Sequence, residues 1–278
     1  MTPLTVGSLF SPSGGDIIEK LTVLDLFSGI GGFSLGLQRT GGFETIAFCE
    51  IDPFCRKVLA KHWPDVPCFE DITKLDKEEL DKLGRIDVIC GGFPCQDISC
   101  AGKGAGIHAE RSGLWWEMLR IIRLVRPRFV LVENVAALLN RGLDEVLGSL
   151  AESGYDAEWQ ILSAKFVGSQ QRRERLYLVA YPTLPGIISQ SARDERTRWG
   201  ISVGGGLFGG DREVAGGQTS KAQRYTEPWA TEPSICRVVD GIPNQLDRLR
   251  ALGNAIVPQC AQFVGQCILD SIRTEATQ

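Results

Sequence analysis

The chain has 278 residues, is 43% hydrophobic and 23% charged, and carries a formal net charge of −4. This predicts a soluble globular protein of one large domain, or a large and a small one, with ample material for a core. No apolar run approaches the length of a membrane span, the N-terminus lacks the basic-then-apolar pattern of a signal peptide, and the global charge is not a nucleic-acid footprint.

Residues 1–20 read as a polar leader with the turn-rich stretch Ser11-Pro12-Ser13-Gly14-Gly15. Thr22 to Phe27 is a predicted strand, and Phe33 to Arg39 a helix stopped by Gly41-Gly42. Thr45 to Glu50 gives a second strand and Pro53 to His62 a second helix, followed by a short charged helix over Lys77 to Leu83. Arg85-Ile86-Asp87-Val88-Ile89-Cys90 is an apolar run that leads to Cys95. Leu114, Met118, Ile121, Ile122 and Val125 recur at helical spacing until Pro127, and a further apolar run over Arg128 to Val132 leads to Glu133. Leu143, Val146, Leu147 and Leu150 predict a helix ended by Gly154, and Glu158 to Phe166 and Leu176 to Ala180 complete the strands. Alternating strands and helices predict an α/β fold with a doubly wound, mostly parallel sheet over residues 21–182. Residues 183–233 hold nine glycines without a sustained period and read as a small loop-rich region. Residues 234–278 are expected to return to the first domain, with a helix from Leu246 that carries Ala261, Val264 and Ile268 on one face.

Two short motifs carry the chemistry. Gly91-Gly92-Phe93-Pro94-Cys95-Gln96 and, with its glutamate 38 residues beyond the cysteine, Glu133-Asn134-Val135 each end a predicted buried strand. Ligand and catalytic groups of open α/β sheets gather at the carboxyl ends of strands, so a thiol and a carboxyl are expected to share one crevice. Asp25-Leu26-Phe27-Ser28-Gly29-Ile30-Gly31-Gly32 reads as a strand-to-helix turn whose glycines admit close approach of a ligand. Glu50 follows Asp25 by 25 residues, where a carboxylate can accept hydrogen bonds from both ribose hydroxyls of a nucleoside cofactor. On spacing alone a nicotinamide dinucleotide and S-adenosylmethionine compete, although Gly29-Ile30-Gly31-Gly32-Phe33-Ser34 lacks the last glycine of the dinucleotide fingerprint. Two histidines and nine cysteines without a Cys-x-x-Cys pair predict no metal site. Cys49, Cys55, Cys90, Cys100, Cys236, Cys260 and Cys267 lie in or beside apolar patterns and are read as small hydrophobes, which suits a reducing cytoplasm.

Pro94-Cys95 and Glu133-Asn134-Val135 resemble two signature motifs of the cytosine-5 DNA methyltransferases. Four more stretches match in that family's order: Asp25 to Gly32, Glu50-Ile51-Asp52, Gln171-Arg172-Arg173-Glu174-Arg175 and Gly253-Asn254-Ala255-Ile256-Val257-Pro258. The resemblance runs from about Thr22 to Gln259 and implies a Rossmann-like methyltransferase fold of bacterial or phage type. It implies S-adenosyl-L-methionine as methyl donor, held by Phe27, Gly29, Gly31, Glu50, Asp71, Ile72, Pro94, Leu114 and Asn254. It further implies Cys95 as nucleophile on ring carbon 6 of cytosine, Glu133 as partner of ring nitrogen 3, and Arg175 as stabiliser of the carbonyl oxygen. Arg173 is expected to hold the loop or a neighbouring carboxylate, and Gln96 to Gly113 to form a mobile loop over a flipped-out base.

The family's target-reading region falls here within residues 183–233, at the small end for such regions. Arg193, Arg196, Arg198, Arg212, Lys221 and Arg224 are candidates for phosphate contacts, and Gln218 and Gln223 for reading groove edges. Charge splits accordingly: residues 1–159 hold 16 Lys+Arg and 23 Asp+Glu, whereas residues 160–278 hold 14 and 11, with 12 arginines among those cations. The implied partner is double-stranded DNA, bound by a cytoplasmic monomer with a possible companion restriction endonuclease and no membrane. An RNA cytosine methyltransferase, a non-catalytic DNA-binding relative and a nicotinamide-dependent oxidoreductase are the competing readings. Retention of both Cys95 and Glu133 weighs against the non-catalytic one.

Overall fold

A computed structural model describes residues 19–94, 113–183 and 245–276. The strands are β1 (Leu21–Leu26), β2 (Phe43–Cys49), β3 (Cys68–Phe69), β4 (Val88–Gly91), β5 (Phe129–Val135), β6 (Tyr155–Ser163) and β7 (Glu174–Pro182). The helices are α1 (Gly32–Arg39), α2 (Pro53–His62), α3 (Lys77–Lys82), α4 (Leu114–Val125), α5 (Leu143–Glu152), α6 (Gln245–Asn254) and α7 (Pro258–Ala276). No helix is long and apolar enough to cross a membrane among these residues.

The strands form one seven-stranded sheet of order β3-β2-β1-β4-β5-β7-β6. Its first five strands run parallel, and β7 pairs antiparallel with both β5 and β6. The doubly wound, mostly parallel α/β sheet read from the sequence is thus the one observed. Alternation along each strand divides the core between two faces. Leu24, Leu26, Ile89, Val130 and Val132 pack with Trp115, Met118 and Ile122 of α4 and with Val146 and Leu150 of α5. Val23, Val88, Phe129 and Leu131 face the other way, onto Phe33 and Leu37 of α1 and Ala261, Val264 and Ile268 of α7. Those last three residues are the apolar face expected of the final helix.

Element ends follow local chemistry. Asp52 caps α2 by accepting from the Phe54 and Cys55 amides, and Pro53 occupies the first helical position, where its missing N–H costs nothing. Arg126 closes α4 in a left-handed conformation (φ 55), after which Pro127 prevents continuation.

Three expectations need correction. The strand predicted over Glu158 to Phe166 begins at Tyr155 and ends at Ser163. Gly154 (φ 77) turns the chain directly into it, and the Ser163 hydroxyl accepts from the Lys165 amide to start a 3-10 turn at Ala164–Val167. The helix expected from Leu246 is two helices, because Pro258 biases Val257 away from helical geometry. The two-residue strand β3 was not foreseen, since so short a run has no readable period.

Candidate active site

The order of the sheet reverses direction between β1 and β4, and the carboxyl ends of β1, β2, β4 and β5 open into one cleft of about 360 Å³. Of the residues singled out in the sequence, Phe27, Gly29, Glu50, Asp71, Ile72, Pro94, Leu114, Glu133, Arg175 and Asn254 line it. Cys95 lies outside the described residues, directly after Pro94. The stretch 96–112 and all the target-reading candidates within residues 184–233 lie outside them too.

At one end of the cleft the backbone is sharply bent. Phe27 (φ 52) and Gly29 (φ 54) both adopt the left-handed region, which a phenylalanine enters only under constraint. That constraint is visible: the Ser28 hydroxyl donates to the Asp25 carbonyl (2.5 Å) and accepts from the Cys49 amide (3.2 Å). Glu50 spans the turn. Its Oε2 accepts from the Gly29 amide and its Oε1 from the Asp52 amide, both at 2.7 Å. Each carboxylate oxygen keeps a further lone pair for a hydroxyl donor. Arg56 steadies this corner, donating to the carbonyls of Glu50 (3.3 Å) and Ile51 (2.9 Å) while pairing with Glu70 (3.2 Å). Asp71 accepts from the Thr73 amide and hydroxyl, capping the 3-10 turn Ile72–Lys74, and those bonds lower its carboxyl below the ordinary value. It is a cap and a cleft residue together.

Gly31 differs. It does not line the cleft, and a side chain there would come within 2.6 Å of the Trp63 ring. With φ 84 at the N-terminus of α1, it serves the turn and the packing of α1 on α2.

The other end is a buried ion cluster. Glu133, the fifth residue of β5, is 8% exposed, and its Oε1 lies 3.2 Å from Nε of Arg175 on the adjoining strand β7. Burial pushes its carboxyl up to about 7, and attraction from Arg175 and then Arg173 offsets only part of that. Gly92 lies close opposite it, and a Cβ there would sit 3.0 Å from Glu133 Oε2, so the carboxyl would have to give way slightly. Asn134 ties β5 to the neighbouring loop, donating to the Phe93 carbonyl (3.3 Å) while its Oδ1 accepts from the Val135 amide (2.8 Å). Arg173 holds a loop as expected, donating to the carbonyls of Gly253 (2.9 Å) and Ala255 (2.8 Å).

Sequence reasoning missed several cleft residues. Ile51 is an apolar side chain 72% exposed beside Glu50, and Asp52, Cys55, Glu70 and Arg250 complete the rim. Arg250 carried a readable signal: it stands one helical turn before Asn254 and so shares its face. Among the described residues no group of three His, Cys, Asp or Glu side chains is placed to hold a metal ion.

An open α/β sheet of this order, with an acid-rimmed cleft at its switch point, is the Rossmann-like fold of methyltransferases. A family model described as C-5 cytosine-specific DNA methylase matches residues 21–193. The chain belongs to that family. It is 38% identical over 196 residues to the type II methyltransferase M.HpaII of Haemophilus parainfluenzae, covering 68% of this chain and 54% of that protein. It is 39% identical over 168 residues to the type II methyltransferase M2.BsuMI of Bacillus subtilis, covering 58% and 42%. The chain spans about half the length of the curated relatives it matches. Among solved structures, a prophage-encoded E. coli protein described as a DNA modification methyltransferase superposes with a TM-score of 0.51 at 27% identity, over 59% of this chain and 47% of that one. A Dnmt2 methyltransferase of S. pombe shares the fold, with a TM-score of 0.50 at 22% identity over 64% and 54%.

Proposed function

We propose that this protein transfers a methyl group from S-adenosyl-L-methionine to ring carbon 5 of cytosine in double-stranded DNA. The observation that carries the reading is one cleft with two chemically distinct ends: an acid-rimmed turn at one and a carboxyl poised near pH 7 between arginines at the other.

The residues present fit the cofactor. Glu50, Asp52, Glu70 and Asp71 line the cleft and favour a cationic ligand, and the free lone pairs of Glu50 suit ribose hydroxyls. Phe27, Gly29, Ile72, Pro94, Leu114 and Asn254 would complete its walls. Bound there, S-adenosylmethionine supplies an electrophilic methyl group.

Cytosine carbon 5 is a poor nucleophile until the ring's aromaticity is broken. We assign that step to Cys95, whose thiolate adds at carbon 6. Negative charge then develops on ring nitrogen 3 and the carbonyl oxygen. Glu133 keeps its proton up to about pH 7 and can donate it towards nitrogen 3. The Arg175 guanidinium, 3.2 Å from Glu133, offers donors for the oxygen. A base within a duplex hides both carbons in the stack, so the target must be extruded. We assign target reading to residues 183–233 and picture a cytoplasmic monomer acting on DNA, with or without a partner endonuclease.

Bisulfite sequencing of DNA from cells expressing the protein tests this directly. Protected cytosines in a recurring short sequence are expected. Labelled methyl transfer into transfer RNA but not duplex DNA would instead select the RNA reading.

A further inference from the structure

We infer that Arg173 is a positioning residue joining the two ends of the cleft, fixing the Asn254 loop and the surroundings of Glu133 with one guanidinium. The inference rests on the functional reading above and deepens it.

Arg173 is anchored just ahead of β7: its amide donates to the Gln171 carbonyl (3.1 Å), and its carbonyl accepts from the Ala164 amide (3.0 Å). From there Nη2 reaches the carbonyls of Gly253 and Ala255, 80 and 82 residues away in sequence. These two residues flank Asn254. Holding a carbonyl on each side fixes the peptide planes around Asn254 without engaging its side chain, which lines the cleft. Loop order that must otherwise be supplied at binding is thereby set in advance.

The same cation lines the cleft that Glu133 lines, and its charge lowers that carboxyl. Among the described residues, the titratable groups facing that carboxyl are Arg175 and Tyr177 on β7, Arg173 ahead of it, and Cys260 on α7. Burial pushes the Cys260 thiol up to about 12 and the Tyr177 phenol well above its ordinary value, so both stay neutral at physiological pH. The two arginines are therefore the charges that oppose burial at Glu133 among the described residues. Nε of Arg173 is buried without a hydrogen-bond partner among those residues, an unfavourable arrangement retained where the two tasks meet.

The test compares the full-length wild type with Arg173→Gln and Arg173→Lys by two measurements. Calorimetry without DNA gives the affinity for S-adenosylhomocysteine, and infrared difference spectra against Glu133→Gln follow the Glu133 carboxyl through its titration. Arg173→Gln should weaken that affinity by about tenfold and move the Glu133 titration to higher pH, because one cation opposing burial is gone. Arg173→Lys keeps the charge but not the planar fork, so the titration should stay near wild type while affinity remains reduced. A glutamine variant that alters only one of the two quantities, or neither, overturns the inference. If that variant does not fold, the lysine variant decides alone, and wild-type affinity in it is the contrary result. A wild type that does not bind S-adenosylhomocysteine overturns the cofactor reading itself, and this inference with it, a result distinguishable from wild-type binding with uncoupled variants.

Discussion

The two ends of the cleft are built in opposite ways. The end assigned to the cofactor is local: Asp25 to Gly29 turn on themselves, and Glu50 accepts from amides only two and 21 residues away. The end assigned to the base is assembled at long range, from Glu133 on β5, Arg175 on β7, and a loop gripped across 80 residues. Backbone hydrogen bonds dominate the first and desolvated charge the second. Binding at the first is expected to rest on turn geometry, whereas proton affinity at the second rests on which charges the sheet brings together.

Glu133→Gln should break the base end most severely. Losing a positioned proton donor is expected to lower turnover roughly 100- to 10,000-fold, with cofactor affinity changed little. The wild-type rate limb assigned to Glu133 should fall as pH rises through about 7, where the carboxyl loses its proton. A pH–rate profile with no change in that limb in the glutamine variant would contradict the assignment.

Glu50→Ala should break the cofactor end alone. A lost hydrogen bond to a charged group costs roughly 1.5–3 kcal/mol, or about tenfold to 150-fold in affinity. Calorimetry with S-adenosylhomocysteine would show it, and unchanged binding would refute the ribose role.

Asp25 is a buried carboxyl at the local end. Burial raises its carboxyl from the ordinary 3.8 to about 7, against the lowering pull of hydrogen bonds from Ser34 and Cys90. The folded state therefore binds the proton more tightly than the unfolded state between about pH 4 and 7, and stability falls as pH rises through that window. Glu133 acts in the same direction between its ordinary 4.5 and about 7. Asp25→Asn should flatten part of the decline in stability with pH, by about a few kcal/mol at most, seen as a shallower fall in Tm. A slope identical to wild type would count against a protonated Asp25.

Gly31→Ala separates packing from binding. The left-handed backbone alone should lower stability by about 1–2 kcal/mol, with crowding against Trp63 added. Cofactor affinity of the folded protein should hold, since Gly31 does not line the cleft.

The same contrast explains what the sequence revealed. Strands β1, β2, β4 and β5 and the turn after β1 announce themselves by short apolar runs and glycines, because their determinants lie within a few residues. Glu50 was legible for that reason. The antiparallel placement of β7 between β5 and β6 carries no local signal, and the pairing of Arg175 with Glu133 follows from that register. Gly29 and Gly31 look alike in a Gly-rich turn, although Gly29 lines the cleft and Gly31 packs against Trp63. Ile51 escaped notice as a cleft residue because exposure is a property of the fold, whereas Arg250 was legible in its spacing to Asn254.

The central claim is a covalent route through Cys95, and duplex DNA carrying 5-fluorocytosine in the target site tests it most directly. Thiolate addition and methyl transfer remain feasible on that base, but release requires loss of the carbon 5 substituent as a cation, which fluorine resists. With S-adenosylmethionine present, the protein should become fixed to the DNA through Cys95, with one methyl group transferred, in an adduct that survives denaturation. Cys95→Ser should give none. An active enzyme that forms no adduct, or a linkage mapped by mass spectrometry to another cysteine, would contradict the account.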